Sequence, residues 1–213
     1  MSISLHIMDR GNALATRRAE IEAAAQAAID MYRTGTDLSE VDISLLPTDW
    51  GTDQPFCVAA ATGPHGIQVK IETSRLDQYA ISTSFFRTMV HELHHCLRWR
   101  HVTAWTVNEA LVLEGLALRA DTLASRDTTS HIAPPDAPRT EERYVAQYGH
   151  APLQDHRDWL YASDDGTEGK PARIYSVGDY LMTRALETLG TDPFAAAALP
   201  ASVLIEAALR SPA

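Results

Sequence analysis

Two histidines four residues apart, with a glutamate directly after the first, constrain this chain more than any other feature: His91-Glu92-Leu93-His94-His95. In a helix, residues four apart lie about 40° from each other on one face, so His91 and His95 can share one metal ion. Glu92 lies beside His91 and can reach a water molecule at that ion. The spacing is typical of zinc hydrolases, in which the carboxylate accepts the proton of the water.

The residues around this motif predict a buried helix. Apolar side chains recur at spacings of three and four, and Ser82–Ser84 offer hydroxyl groups that could cap the start of the helix. The apolar stripe consists of Phe85, Phe86, Met89, Val90, Leu93, Leu97 and Trp99. Three histidines on a buried helix need partners, because burying an unpaired polar group costs free energy. A bound metal ion would provide one.

A third protein ligand is expected, because a catalytic zinc ion usually has three and keeps one position open. The next predicted helix, residues 105–121, contains Glu109 and Glu114. They lie about 140° apart around the helix, so only one can face the metal. Glu109 suits the helix start, where a carboxylate is favoured by the dipole, whereas Glu114 has aliphatic and small neighbours. We therefore predict Glu114 as the third ligand and keep Glu109 as the alternative.

The motif, the next eighteen residues and the following Glu114-Gly115-Leu116-Ala117 together resemble the gluzincin metalloproteases. The short chain is most similar to the small predicted zinc-dependent proteases of the minigluzincin type. The resemblance implies that His91, His95 and Glu114 bind zinc and that Glu92 is the general base. The Gly-x-Met-Glu-Asn motif with which related aminopeptidases hold a substrate amino terminus is absent from the sequence. That absence favours an endopeptidase.

Attack on a peptide carbonyl also needs a hydrogen-bond donor for the developing oxyanion. The segment 173–181 is similar to a Gly-Tyr-x-x-Gly-Tyr-type segment of the same proteases, which implies that Tyr175 is this donor. Tyr180 and Tyr161 are the alternatives, and each could instead pack in the core with a bonded hydroxyl. We expect His94 to lie behind the ligands or at the surface rather than to bind the metal.

Composition limits the partners. The chain has 213 residues and a formal charge of −10, which argues against nucleic acid and anionic membranes and leaves a peptide or protein substrate. No apolar run is long enough to span a membrane and no signal peptide is visible, so a cytoplasmic location is expected, with export left open. The two cysteines, Cys57 and Cys96, are expected to be buried free thiols.

The predicted fold class is α+β, with a small antiparallel or mixed sheet near the N-terminus and mainly helices after residue 80. The chain is expected to form one zincin-like catalytic domain, 1–213, with an upper sub-lobe of about 1–100 and a lower helical sub-lobe of about 101–213. Strands are predicted at 3–8, 41–45, 56–62 and 66–71, with Pro47 ending the second and a turn at 63–66. Helices are predicted at 11–34, 141–149, 153–161, 174–189 and 202–209, and loops at 127–140 and 164–171.

Further expectations concern substrate binding and alternative functions. Gluzincin-like hydrolases bind extended substrate along an edge strand, and Ile67–Glu72 is the candidate, with an ordinary amphipathic strand as the alternative. The tail Leu209–Ala213 could occupy the cleft and inhibit the enzyme.

Two other functions are possible. In the first, the metal is structural or sensory, with His94 or Cys96 as a fourth ligand in a protein that acts through a partner. Hydrolysis of a non-peptide amide or ester is a third possibility.

Overall fold

The computed structural model describes residues 3–33, 36, 38–50, 56–125, 135, 138–162 and 172–210. The chain divides into two compact units, Met1–Arg100 and His101–Ala213. The first contains a mixed four-stranded sheet and two long helices, and the second is helical, so the predicted α+β class is confirmed. The predicted loop 164–171, most of the loop 127–140 and the end of the proposed inhibitory tail, 211–213, lie outside the described residues.

The sheet of the first unit has the order β1-β2-β4-β3. Its strands are β1 (Ile3–Ile7), β2 (Val41–Thr48), β3 (Cys57–Gly63) and β4 (Gly66–Glu72). The strands β1 and β4 are both parallel to β2, whereas β3 and β4 form the predicted antiparallel hairpin. The parallel pair β1–β2 is connected through helix α1 (Arg18–Arg33), since parallel neighbours need a long crossover.

The expectation that Ile67–Glu72 forms an edge strand is wrong. This segment is β4, which lies between β2 and β3, and the edges of the described sheet are formed by β1 and β3. Burial explains the order, because Val69 and Ile71 of β4 are fully buried. Side chains of β3 alternate between half-buried and exposed, as expected for a strand with one covered face.

Pro47 does not end the second strand, contrary to the prediction. It lies inside β2 and pairs with Ile71 of β4. The Leu45 carbonyl accepts a hydrogen bond from Met8 on the β1 side. Since strand groups alternate in direction, the missing N–H of Pro47 also faces that side, beyond the last β1 pair at Ile7. The proline therefore removes no ladder hydrogen bond.

Helix α1 begins at Arg18 rather than at residue 11. Residues 11–17 form turns instead, in which the Asp9 carboxylate accepts hydrogen bonds from the amides of Ala13 and Leu14, each at 2.8 Å. Leu14 is nevertheless fully buried. At the other end of α1, the Tyr32 hydroxyl donates to the Val90 carbonyl at 2.6 Å, which joins α1 to the helix that carries the histidines.

That helix, α2, spans Ile81–Trp99 and starts before the hydroxyl residues that were predicted to cap it. No side chain of the N-cap residue Ala80 bonds the first turn. Glu20 of α1 accepts the Ser82 N–H at 3.3 Å instead. A carboxylate near a helix start is favourable, so the neighbouring helix provides what the local sequence lacks. The predicted buried stripe is confirmed for Phe85, Met89, Val90, Leu93 and Leu97.

The second unit is built on the contact between α3 (Val107–Ser125) and α6 (Arg173–Leu189). A Cβ atom on Gly115 of α3 would lie 2.2 Å from the carbonyl oxygen of Gly178 in α6, so these two helices meet backbone to backbone. Gly115 therefore permits close packing of α3 against α6. Gly190 ends α6 in the left-handed conformation, φ 61°, as predicted.

The remaining helices of this unit are α4 (Pro138–Tyr148), α5 (Arg157–Tyr161), α7 (Pro193–Ala196) and α8 (Ala201–Arg210). A 3₁₀ turn, Leu153–His156, leads into α5, so the single helix predicted at 153–161 is divided. The short α7 was not predicted, although Asp192 accepts the Ala195 amide and Pro193 follows it, which is a common helix start. No helix in the described ranges has the length and hydrophobicity needed to cross a bilayer.

Candidate metal centre

The histidine pair lies on one face of α2, as the spacing predicts. The ring centroids of His91 and His95 are 4.5 Å apart, and the rings are nearly perpendicular at 89°. One potential ligand atom from each of His91, Glu92 and His95 lies within 4.8 Å of the others. His91 is half-buried, while Glu92 and His95 are each 7% exposed. The three side chains therefore converge on one mostly shielded spot.

Glu92 is held by the edge strand of the sheet. Its Oε2 atom accepts a hydrogen bond from the Ala61 backbone N–H at 2.7 Å. The Glu72 amide donates to the Phe56 carbonyl, so alternation along the antiparallel β3–β4 pair directs the Ala61 N–H away from β4. The general-base candidate is thus fixed to the outer edge of β3.

The donor set suits zinc. Two imidazole nitrogens and a carboxylate oxygen are borderline and hard donors that bind zinc well, and the group is more enclosed than a surface acidic cluster. Among the described residues, His91, Glu92 and His95 are the three potential metal ligands that lie close enough together to hold one ion. Glu92, predicted as a base rather than a ligand, is its third member.

The two cysteines lie close enough to Glu92 to sense its charge. Burial, with a further contribution from the Glu92 carboxylate, raises the pKa of Cys57 and of Cys96 to about 12. The Cys96 thiol donates to the Gly63 carbonyl at 3.4 Å. Both cysteines are free, in agreement with the prediction, although Cys57 is half-buried rather than buried. Cys96 does not belong to the three-residue cluster.

His94 is fully buried, which excludes the surface position that was one of its two predicted placements. It does not belong to the cluster of His91, Glu92 and His95. A helix places residue 94 about 300° after residue 91, so its side chain leaves α2 in a different direction from that of His95. His94 is therefore a buried residue outside the candidate metal cluster.

The two candidate third ligands lie in the second unit. Glu114 is half-buried in the middle of α3, directly before the glycine that contacts α6. Glu109 is buried in the first turn of the helix, where its amide donates to the Thr106 hydroxyl at 3.2 Å. The roles of both residues remain predictions, since the cluster of His91, Glu92 and His95 is formed within the first unit alone.

The three tyrosine candidates also lie in the second unit, in different environments. Tyr175 is in the first turn of α6 and is 36% exposed. The Tyr180 hydroxyl donates to Glu142 at 2.8 Å and also bonds to Arg184; burial and the Glu142 bond raise its pKa. Tyr161 is 51% exposed at the end of α5. Tyr180 thus belongs to an ionic cluster, whereas Tyr175 and Tyr161 are the more exposed candidates.

The comparison with known families agrees with this site. Residues 21–206 match the model of a family described as "Predicted Zn-dependent protease (DUF2268)". The chain belongs to this family. The match includes the whole of α2, α3 and α6, and therefore every predicted site residue. No curated protein and no solved structure matches the chain significantly. Membership supports a zinc-dependent hydrolase without specifying the gluzincin subclass.

One contributor to the site, the Ala61 amide, was missed by the sequence analysis. A backbone N–H has no residue-type signature, and any amino acid except proline provides one. The contact requires β3 to lie at an edge of the sheet, next to α2. The sequence had instead predicted Ile67–Glu72 as the edge strand. The hairpin itself was predicted, but its order in the sheet could not be read from local residues.

Proposed function

We propose that the protein is a zinc-dependent peptidase that cuts within peptide chains. The observation that carries the proposal is the convergence of His91, Glu92 and His95 on one shielded spot beside a strand edge. Membership in a family of predicted zinc-dependent proteases supports the same reaction. We assign His91 and His95 as zinc ligands and Glu114 as the third ligand, on the resemblance of the motif and its spacing to gluzincins.

Zinc bound at these residues would supply a Lewis acid that polarises the scissile carbonyl and makes water a stronger acid. Glu92 takes a proton from the attacking water and delivers it to the departing amine. Its bond to the Ala61 amide holds the carboxylate in one orientation before the substrate arrives. Tyr175 donates a hydrogen bond to the developing oxyanion. The Tyr175 residue is 36% exposed, in keeping with a side chain that faces a substrate.

We further propose that the edge of β3 binds the peptide in extended form. The amide and carbonyl groups of Cys57 and Ala59 point in the same direction as the Ala61 N–H, away from β4. Within the described ranges, no strand pairs with this side of β3. A peptide added there would gain main-chain hydrogen bonds and run past Glu92, which is bonded to the same edge.

The test combines metal content with hydrolysis of a mixed library of unstructured peptides. We expect about one zinc ion per chain in the purified wild-type protein. The Glu92→Gln variant should keep its zinc and lose hydrolysis by about 10²- to 10⁴-fold, since it retains the shape of the side chain without its basicity. The Glu114→Ala variant should lose the metal. A Glu109→Gln variant, altered on the same helix, should retain it.

The outcomes separate the alternative functions. Full activity of zinc-loaded Glu92→Gln would refute the proposed mechanism. Zinc retained in Glu114→Ala but lost in Glu109→Gln would transfer the third-ligand role to Glu109. A zinc-loaded protein that cleaves no peptide but hydrolyses small esters or amides would replace the peptidase assignment. Zinc without any hydrolysis would favour a structural or sensory metal.

A further inference from the structure

A second candidate binding site lies in the helical unit. Trp105, Pro152, Leu153, Gln154, Arg157 and Tyr161 line a cavity of about 420 Å³. Its wall is held by backbone bonds, because the Leu153 amide donates to the Trp105 carbonyl at 3.0 Å and Thr106 forms a β-bridge with Pro152. The cavity is therefore formed before any ligand arrives, as is usual for small-ligand sites.

The walls of this cavity present aromatic surface to solvent. Trp105 is 39% exposed and Tyr161 is 51% exposed. Large aromatic side chains gain free energy when their faces are covered, and a pair that lines one concavity is more informative than scattered exposed residues. Pro152 and Leu153 add to the apolar lining. These walls suit an apolar or aromatic ring of a ligand.

The same cavity contains a cation for which the described residues provide no anionic partner. The Arg157 guanidinium lies 5.6 Å from the centroid of the Tyr161 ring. In the parts of the chain that the structure describes, no carboxylate forms an ion pair with Arg157 and no group hydrogen-bonds the Gln154 amide. By contrast, Arg119 pairs with Asp179 and Arg173 pairs with Glu141 in the same unit. A guanidinium fork beside a side-chain amide suits a carboxylate.

We propose that this cavity binds the C-terminal residue of a peptide that ends in an aromatic amino acid. The ring would lie against Trp105 and Tyr161, and the terminal carboxylate would bind Arg157 and Gln154. A C-terminal aromatic residue carries its ring and its carboxylate on one Cα, which matches a cation held over one of the aromatic walls. Neighbouring side chains of an extended peptide point in opposite directions, so an internal acidic residue next to an aromatic one fits less well.

The size of the cavity agrees with this occupant. Small-molecule sites typically enclose roughly 300–1,000 Å³, and this cavity lies at the lower end of that range. One aromatic residue and part of its neighbour fill such a space, whereas a folded protein surface does not enter it. The proposal concerns binding alone and depends on neither the zinc ion nor peptide hydrolysis.

The test is a titration of the full-length, metal-free protein with acetyl-Ala-Ala-Phe. It is followed through the indole N–H signals of the four tryptophans in an NMR spectrum. The signal that is missing in Trp105→Phe should shift, with a dissociation constant of roughly millimolar order or tighter. The same peptide with a C-terminal amide should bind about tenfold more weakly, because the charge-assisted bond to Arg157 is lost.

Two variants and one further ligand complete the test. Arg157→Gln should weaken binding of the free acid about tenfold and leave binding of the amide unchanged. Arg143→Gln, an equivalent change at another exposed arginine of the same unit, should have no effect. Acid and amide forms that bind equally well would overturn the proposal. So would the absence of any shift in the Trp105 signal, or equal binding of the internal acidic peptide acetyl-Phe-Glu-Ala-amide. Because no zinc is present, none of these results bears on the peptidase assignment.

Discussion

Buried carboxylates are stabilised in different ways in the two units. In the second unit, Asp179 pairs with Arg119 at 2.6 Å and Glu141 pairs with Arg173 at 3.2 Å. In the first unit, Glu92 is equally buried but accepts its hydrogen bond from the Ala61 backbone amide. Among the described residues, no lysine or arginine forms an ion pair with Glu92.

The difference between the two units indicates which buried carboxylates are structural and which is available for chemistry. A guanidinium neutralises a buried carboxylate permanently and leaves it little basicity toward other groups. A backbone amide orients the carboxylate of Glu92 without providing a counter-charge. This arrangement is costly unless a cation is bound nearby. The contrast therefore agrees with the proposed metal site in α2, and the following changes can break or sharpen it.

The largest expected effect is on metal binding. His95→Ala should weaken zinc affinity by at least about 100-fold, since even changes to residues behind the ligands weaken it 10- to 100-fold. The metal-free variant should fold normally. Competition with a chromophoric chelator measures the affinity. His150→Ala, at an exposed position in the second unit, is the control and should bind zinc as the wild type does. Equal affinities in the two variants would contradict the assignment of His95.

The second effect concerns the helix contact in the other unit. Gly115→Ala should lower the free energy of unfolding by about 2 to 3 kcal/mol, because its Cβ would lie 2.2 Å from the Gly178 oxygen. The gain in helix propensity, about 1 kcal/mol, offsets only part of this cost. Chemical denaturation of the metal-free protein measures the net change in the free energy of unfolding. The control is Gly11→Ala, where a Cβ would meet nothing within 4 Å. An unchanged stability in Gly115→Ala would mean that α3 and α6 separate easily.

The third prediction compares the two kinds of buried carboxylate by changing one in each unit to its amide. Asp179→Asn should destabilise the metal-free protein by about 1 to 2 kcal/mol, because it leaves the Arg119 charge without its anion in a mostly buried position. Glu92→Gln should change stability by less than about 1 kcal/mol, since the new amide oxygen can still accept the Ala61 N–H. Thermal unfolding of both variants measures the difference. A larger loss in Glu92→Gln would show that this carboxylate is structural.

The smallest effect is a pH dependence from Cys57. Its pKa is raised from 9.0 to about 12, mainly by burial and then by Glu92. Between pH 9 and pH 12 the unfolded chain releases the thiol proton while the folded chain retains it. The contribution of this thiol to the free energy of unfolding is therefore complete below pH 9 and is lost as the pH rises toward 12. We expect Cys57→Ala to reduce the alkaline loss of stability by about 1 kcal/mol per pH unit at most. Denaturation at a series of pH values measures this slope. Identical slopes in both proteins would contradict it.

Much of the fold followed from local patterns. The stripe around Phe85 and Leu93 predicted a buried α2, and the glycines at 63 and 66 predicted the hairpin turn. The stop of α6 at Gly190 was also predicted. The failures occurred where side-chain contacts with backbone amides replaced the expected helix signals. Asp9 converts the expected start of α1 into turns, and Glu20 replaces the expected cap of α2.

The sequence by itself determined the pairing of His91 with His95 and the position of Glu92 beside them, because helical spacing depends only on near neighbours along the chain. Only the tertiary structure decided that β4 is interior, that β3 forms an edge, and that the Ala61 amide binds Glu92. Strand order depends on which buried surfaces meet across the sheet, and that choice depends on residues far apart in the chain.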